Sequence, residues 1–276
     1  ELIPMRGRDI TPAFTAKVEA IMRQTSDIAI VPRYQSLAAS DIVNKATDDV
    51  VTIADKESEA ILTGLLTDLL PQADVVGEEA AFADPSIFER LRQGLCWIVD
   101  PLDGTNNFAA GKAPFGMLVA LADGGETIGG WILDCLTGRF CHATSAGGAW
   151  IDGERVTARA SGEEPAIAAI STTYMEEDQR AQVLAHIAPH YRMVDIPRCA
   201  AEQYPRLVLG QNDVSTFNRT LPWDHAAGAL FLNEAGGRAA RLDGTPYRVD
   251  EWDRTGMIGA ATPRLWDDLA ERIARL

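Results

Sequence analysis

Asp100 and Asp103 stand three residues apart at the end of an apolar run, Leu95-Cys96-Trp97-Ile98-Val99, in a turn completed by Pro101, Leu102, Gly104 and Thr105. Such a turn can be plain connection, because Asp, Pro and Gly are the ordinary punctuation of surface loops. It can also be a metal site, since Mg²⁺ is usually held by a few carboxylates together with waters and substrate phosphate. Two further acidic features bear on the choice: Gly77-Glu78-Glu79 after a short apolar stretch, and Asp224 after Pro222-Trp223 at a helix start. Alone, Asp224 reads as an acidic residue favoured at a helix N-terminus. Together, Glu78, Asp100, Asp103 and Asp224 supply the carboxylates needed to hold two divalent cations about 3.5 to 4 Å apart, the arrangement used for in-line attack on phosphorus. Asp55, in the first turn of a helix that follows an apolar strand, can serve the helix dipole or point into a cleft.

The elements that must position these groups follow from pattern. Thr11-Pro12 is a cap and first-position signal for a helix running toward Tyr34. Residues 38 to 52 read as a loop and short hairpin with a polar tip from Lys45 to Asp49. A helix over 54–70 buries Ile61, Leu62, Leu65, Leu66 and Leu69, and Pro71 closes it. Glu57 and Glu59 on this helix carry no assignment beyond the helix dipole. A strand at Val75-Val76, a brief helix over 85–92, the central strand ending at Asp100, and strands near 115–122, 127–135 and 139–143 come next. Hairpins are expected at Asp123-Gly124-Gly125 and Asp152-Gly153. This first half reads as two helices on an antiparallel meander. From Pro165 strands and helices alternate: strand 166–172, helix 176–188, strand 192–196, a helical piece near 200–204, and strand 206–217 broken at Gly210. A helix from Pro222 to a Gly236-Gly237 cap, two strands near 238–242 and 256–261, and a helix from Pro263 follow. Neither repeats nor low-complexity stretches occur, and the expectation is one domain with an N-terminal α+β half, about 1–160, and a C-terminal α/β half, about 161–276.

The 276 residues are 46% hydrophobic and 24% charged, ordinary for a globular protein that buries a core. With 40 acidic against 25 basic residues the net charge is −15, which disfavours nucleic acid and anionic membranes as partners. A phosphorylated ligand then needs a local device, a metal or a helix N-terminus. Cys96, Cys135, Cys141 and Cys199 show no zinc spacing and read as reduced core residues. No run nears the roughly 20 apolar residues of a bilayer span, and Glu1 to Asp9 hold no signal-peptide core, so a cytoplasmic protein is expected.

Gly77-Glu78-Glu79, the segment from Trp97 to Phe108, Trp223-Asp224-His225-Ala226-Ala227-Gly228 and Glu234-Ala235-Gly236-Gly237 resemble, in order and spacing, the signature segments of the inositol monophosphatase family. The resemblance implies a lithium-sensitive, Mg²⁺-dependent phosphomonoesterase of the inositol monophosphatase / fructose-1,6-bisphosphatase type. Its fold would be an α+β layered α/β/α/β/α sandwich, commonly a homodimer. Carried over by position, Glu78, Asp100 and the Leu102 carbonyl would hold one Mg²⁺, and Asp100, Asp103 and Asp224 a second. The family pattern allows a third, weaker ion near Glu78. Thr105 and Asp55 would orient the attacking water and take its proton, and the backbone N–H groups of Gly104 and Thr105 would meet the phosphate.

Inositol 1-phosphate is the default substrate. Histidinol phosphate, a nucleoside 3′-phosphate or a sugar phosphate are the alternatives, and a regulatory binding protein with a secondary phosphatase site is a reading from another class. Two positions depart from the inositol-type pattern: Phe217 stands where an acidic residue grips inositol hydroxyls, and Arg198 replaces a glycine of the substrate loop. Glu79 and His225 are expected to face away from the site, and Trp97 and Trp223 to wall it off from water.

Overall fold

A computed structural model describes residues 5–46, 49–173 and 175–276. Helix α1 (Pro12–Thr25) begins as expected: Pro12 fills the first turn and the Thr11 hydroxyl accepts from the Phe14 N–H at 3.2 Å. It continues through a wider π-type turn over Ser26–Ile30 and a tight turn over Val31–Arg33. Strands β1 (Ile42–Ala46) and β2 (Asp49–Thr52) form a separate antiparallel ribbon. Of its expected tip, Thr47 and Asp48 lie outside the described residues. Helix α2 (Ile53–Leu69) follows directly, then β3 (Asp74–Gly77), α3 (Glu78–Ala83), β4 (Leu95–Asp103) and the short α4 (Thr105–Ala109).

Strands β5 (Gly116–Asp123), β6 (Glu126–Asp134), β7 (Phe140–Thr144), β8 (Gly148–Ile151) and β9 (Glu154–Val156) complete a seven-stranded sheet in simple order from β3 to β9. The expected meander holds from β4 onward. β3, however, pairs with β4 in parallel, because the chain crosses from one to the other through α3 and the turn over Pro85–Arg92.

The second half contributes β10 (Ile167–Ile170), α5 (Glu177–His186), β11 (Arg192–Met193), α6 (Ala200–Val208), β12 (Val214–Phe217), α7 (Pro222–Glu234), β13 (Arg238–Arg241), β14 (Met257–Ala260) and α8 (Pro263–Ile273). The five strands form a second sheet in the order β11-β10-β12-β14-β13. The expected strand over 206–217 is corrected: its first part is the end of α6, which runs through Pro205. The apolar Leu207 and Val208 that suggest a strand are the buried face of that helix.

Alternation along β4 sets the layers, since neighbouring side chains point to opposite faces. Trp97 and Val99 pack under α1 and α2 with Val18, Met22, Leu62 and Leu66. Cys96 and Ile98 face α6 and α7, with Tyr204, Leu207 and Phe231. Met257 and Ala239 of the second sheet close that central layer, and its other face carries Val183 of α5 and Trp266 and Leu269 of α8. The result is an α/β/α/β/α sandwich. No described helix is long and apolar enough to cross a membrane, and all four cysteines are free and buried.

Candidate active site

The strand that carries the paired aspartates does not stop at Asp100. Asp100 pairs with Leu118 and Asp103 with Gly116, with an irregularity between them. Pro101, which has no N–H to give a ladder, falls in this bulge. The distortion lets two carboxylates from one strand reach the same space: ligand atoms of Asp100, Asp103 and Asp224 all lie within 4.8 Å of one another. The Leu102 N–H donates to Asp100 Oδ1 at 3.1 Å, and the Leu102 carbonyl accepts from the Thr105 hydroxyl at 2.8 Å. Burial first, and then the neighbouring charges of Glu78, Asp103 and Asp224, push the Asp100 carboxyl well above its ordinary range.

Asp103 is fixed by the start of α6. Its Oδ2 accepts from the Ala201 N–H at 2.6 Å and from the Cys199 thiol at 3.1 Å. Burial still raises its pKa to about 6 against those bonds. Gly104 is required for two local reasons: its φ is +81°, and a Cβ there would stand 2.9 Å from the Pro114 carbonyl oxygen.

Of the two roles left open for it, Asp55 takes the one at the helix start, and it reaches the cavity only through Thr105. Its Oδ2 accepts from the Thr52 N–H at 2.7 Å and the Thr52 hydroxyl at 2.6 Å, closing a capping box at the start of α2. Its Oδ1 lies 2.9 Å from Thr105 Oγ1. Thr105 lines the cavity that Asp100, Asp103 and Asp224 also line, and Asp55 stands behind it. Burial lifts the Asp55 pKa to about 6, opposed by the bonds from Thr52 and Thr105. The single Thr105 proton can go to Asp55 or to the Leu102 carbonyl, so the pair has two proton arrangements.

Glu78 opens α3 and lines the same cavity as Asp100, Asp103 and Asp224. Burial raises its pKa to about 8, with Lys45 opposing and Asp224 adding to the rise. The Lys45 ammonium stands 3.2 Å from Glu78 and 2.5 Å from Glu79, so Glu79 acts on Glu78 through a shared lysine. Glu59 is the residue the sequence did not reveal. Buried at 7% exposure, its carboxylate accepts from the Glu79 N–H at 2.7 Å and the Ala80 N–H at 2.8 Å, capping α3 from α2. Gly77 is small for this reason, since a Cβ would sit 2.4 Å from the Glu59 carboxyl carbon.

His225 is among the residues that line the cavity, and its ring nitrogens are turned to Tyr204 and the Arg219 carbonyl. Its Nε2 lies 3.1 Å from the Arg219 carbonyl, which can only accept, so Nε2 carries the proton and Nδ1 accepts from the Tyr204 hydroxyl at 2.8 Å. Burial pushes its pKa down to about 3, so the ring is neutral. Phe217 lines the cavity and packs on Tyr204 and His225, with ring centroids 5.2 and 4.8 Å away. Arg198 also lines the cavity, is exposed, and holds a φ of +53°, a conformation that costs a non-glycine residue roughly 1 kcal/mol. The expectation for the tryptophans is corrected in part. Trp97 stacks with Phe14 under α1 and Trp223 with Phe88, so both are packing, and neither walls the cavity.

The profile of the inositol monophosphatase family matches residues 13–276. The chain belongs to that family. Its members are phosphoric monoester hydrolases that depend on a metal, and the carboxylates of Asp100, Asp103 and Asp224 are close enough together that they could hold one. The inositol-1-monophosphatase of Bacillus subtilis is 31% identical over 203 residues, 72% of this chain and 75% of the relative. The Nus factor SuhB of Vibrio cholerae is 27% identical over 225 residues, 80% of each chain. A Staphylococcus aureus inositol monophosphatase solved with inositol monophosphate bound superimposes with a TM-score of 0.73 at 20% identity, over 93% of this chain and 92% of that one. The layered sandwich derived above is the family's fold.

Proposed function

We propose that this family member is a Mg²⁺-dependent phosphomonoesterase acting on a small phosphorylated alcohol, with inositol 1-phosphate as the reference substrate. One observation carries the reading: three carboxylates from β4 and α7 converge within 4.8 Å in a cavity that also holds Glu78 and Thr105. Burial, and then the charges of Glu78, Asp103 and Asp224, hold the Asp100 carboxyl well above its ordinary range, and a cation beside it would favour its ionised form. Glu78, Asp100 and the Leu102 carbonyl would hold one Mg²⁺, and Asp100, Asp103 and Asp224 the second. When bound, these ions lower the pKa of a coordinated water and stabilise the departing alkoxide. A third ion near Glu78 would have to displace the Lys45 ammonium.

The chain's own part is proton handling and orientation. Thr105 Oγ1 faces the cavity, takes the proton of the attacking water and passes its own to Asp55 Oδ1, 2.9 Å away. An Asp55 pKa near 6 suits a group that must be ionised at neutral pH and accept a proton briefly. The N–H groups of Gly104 and Thr105 would meet phosphate oxygens. A homodimer, a cytoplasmic location and lithium inhibition come with the family pattern and belong to this proposal.

The test is turnover of inositol 1-phosphate, histidinol phosphate, a nucleoside 3′-phosphate and a sugar phosphate while Mg²⁺ and Li⁺ are titrated. Activity should vanish with a chelator and fall by about a thousandfold or more in Asp100→Asn. Mg²⁺-dependent turnover retained in that variant overturns the metal assignment. Similarity to a protein named as a Nus factor favours a second reading, a binding role beside the phosphatase site. A stoichiometric macromolecular partner from cell extract, with no turnover on the panel, would establish that reading instead.

A further inference from the structure

We propose that Arg198 binds a second anionic group of the substrate, a phosphate or carboxylate on the alcohol part of the ester, and so selects phosphomonoesters with two negative centres. The inference rests on the phosphatase reading and narrows it to a substrate class.

The loop carrying Arg198 is clamped on both sides by the central segment. On one side Asn107 Nδ2 donates to the Pro197 carbonyl at 3.0 Å and to the Pro114 carbonyl at 2.8 Å. On the other, the Cys199 thiol donates to Asp103 Oδ2 at 3.1 Å, and the Cys199 carbonyl accepts from the Gln203 N–H at 3.0 Å. Arg198 is therefore held at a fixed place relative to a carboxylate of the triad, although its own φ of +53° would suit glycine better.

Arg23, Arg139, Arg206, Arg248 and Arg254 all meet carboxylates. Arg198 meets none among the described residues, in a chain of net charge −15. A guanidinium that stays protonated and presents a planar fork of donors matches phosphate or carboxylate oxygens. It gains little from neutral hydroxyls. Phe217, on the same cavity, cannot grip a polyol and brings no negative charge that would offset Arg198.

The experiment uses two matched pairs: glucose 1-phosphate with glucose 1,6-bisphosphate, and glycerol 2-phosphate with 2-phosphoglycerate. The first pair adds a phosphate and the second a carboxylate. For each, kcat and KM are measured, and Kd is measured by calorimetry in the presence of Ca²⁺ in place of Mg²⁺. In at least one pair the doubly anionic member should be favoured by about tenfold or more in KM and Kd, the size of one charge-assisted contact. Arg198→Gly, which relaxes the backbone, should remove that ratio, and Arg198→Lys should keep part of it. No preference in either pair, or an equal loss for both members in Arg198→Gly, overturns the proposal, the latter because Arg198 would then serve the scissile phosphate. Absence of turnover on all four esters would instead strike the phosphatase reading, and the Kd ratios would still decide the role of Arg198.

Discussion

Replacing Glu59 by Gln should loosen the site from a position that touches neither substrate nor metal ligand directly. The Glu59 carboxylate accepts two backbone N–H bonds at the start of α3, from Glu79 at 2.7 Å and Ala80 at 2.8 Å. A glutamine offers one acceptor oxygen and turns an NH₂ toward the other N–H, so one bond is lost and two donors face each other. Hydrogen bonds to a charged group are worth about 1.5 to 3 kcal/mol, and an orphaned buried donor costs about 1 to 3 kcal/mol. A net destabilisation of about 2 to 4 kcal/mol follows, a fall in Tm of roughly 5 to 12 °C for a chain of this size. Because Glu78 is the first residue of α3, the Mg²⁺ concentration for half-maximal activity should rise about tenfold, with much of kcat recovered at saturating Mg²⁺. Thermal unfolding and a Mg²⁺ titration of Glu59→Gln measure both effects. A wild-type Tm together with a wild-type Mg²⁺ midpoint would refute the cap as the device that places Glu78.

Metal-free protein should lose stability as pH rises from about 5 to 8. Asp55 and Asp103 are raised to about 6 and Glu78 to about 8, so the folded state holds protons that the unfolded chain has already released. Stability is therefore highest below their unfolded values and declines through the folded ones. Scanning calorimetry with a chelator should show this fall, and Mg²⁺ should reverse it most at pH 8. A flat profile would refute the burial of these carboxyl groups as the cause of their raised pKa values. Gly104→Ala must place a side chain at φ +81° and against the Pro114 carbonyl oxygen, so it should cost about 2 kcal/mol or more and lower activity further. Wild-type urea unfolding in that variant would count against the geometry at residue 104.

What the sequence revealed and what it hid divide along a physical line. Asp100, Asp103, Glu78 and Asp224 were legible because acidic residues at the ends of apolar strands and helix starts have few structural uses that explain all of them together. Glu59 was hidden: an acidic residue in the first turns of an amphipathic helix looks like a solvated one until the neighbouring helix is seen to start over it. The bonds from Cys199 and Ala201 to Asp103 span nearly a hundred residues and leave no local pattern. The parallel pairing of β3 with β4 and the continuation of the helix through 206–208 are not legible because tertiary packing overrides local propensity. The sequence places Lys45 in a polar hairpin tip, yet its ammonium is nearly buried between Glu78 and Glu79.

The clamp around Arg198 also separates two properties that enzymes often find hard to change independently. Asn107 and Asp103 grip the main chain at Pro197 and the side chain at Cys199, while the side chain of residue 198 takes no part in those bonds. The loop works as a socket whose tip is exchangeable: a different side chain at 198 can face the cavity without disturbing the aspartate beside it. Selectivity can then be retuned at one codon while the hydrolytic apparatus keeps its alignment.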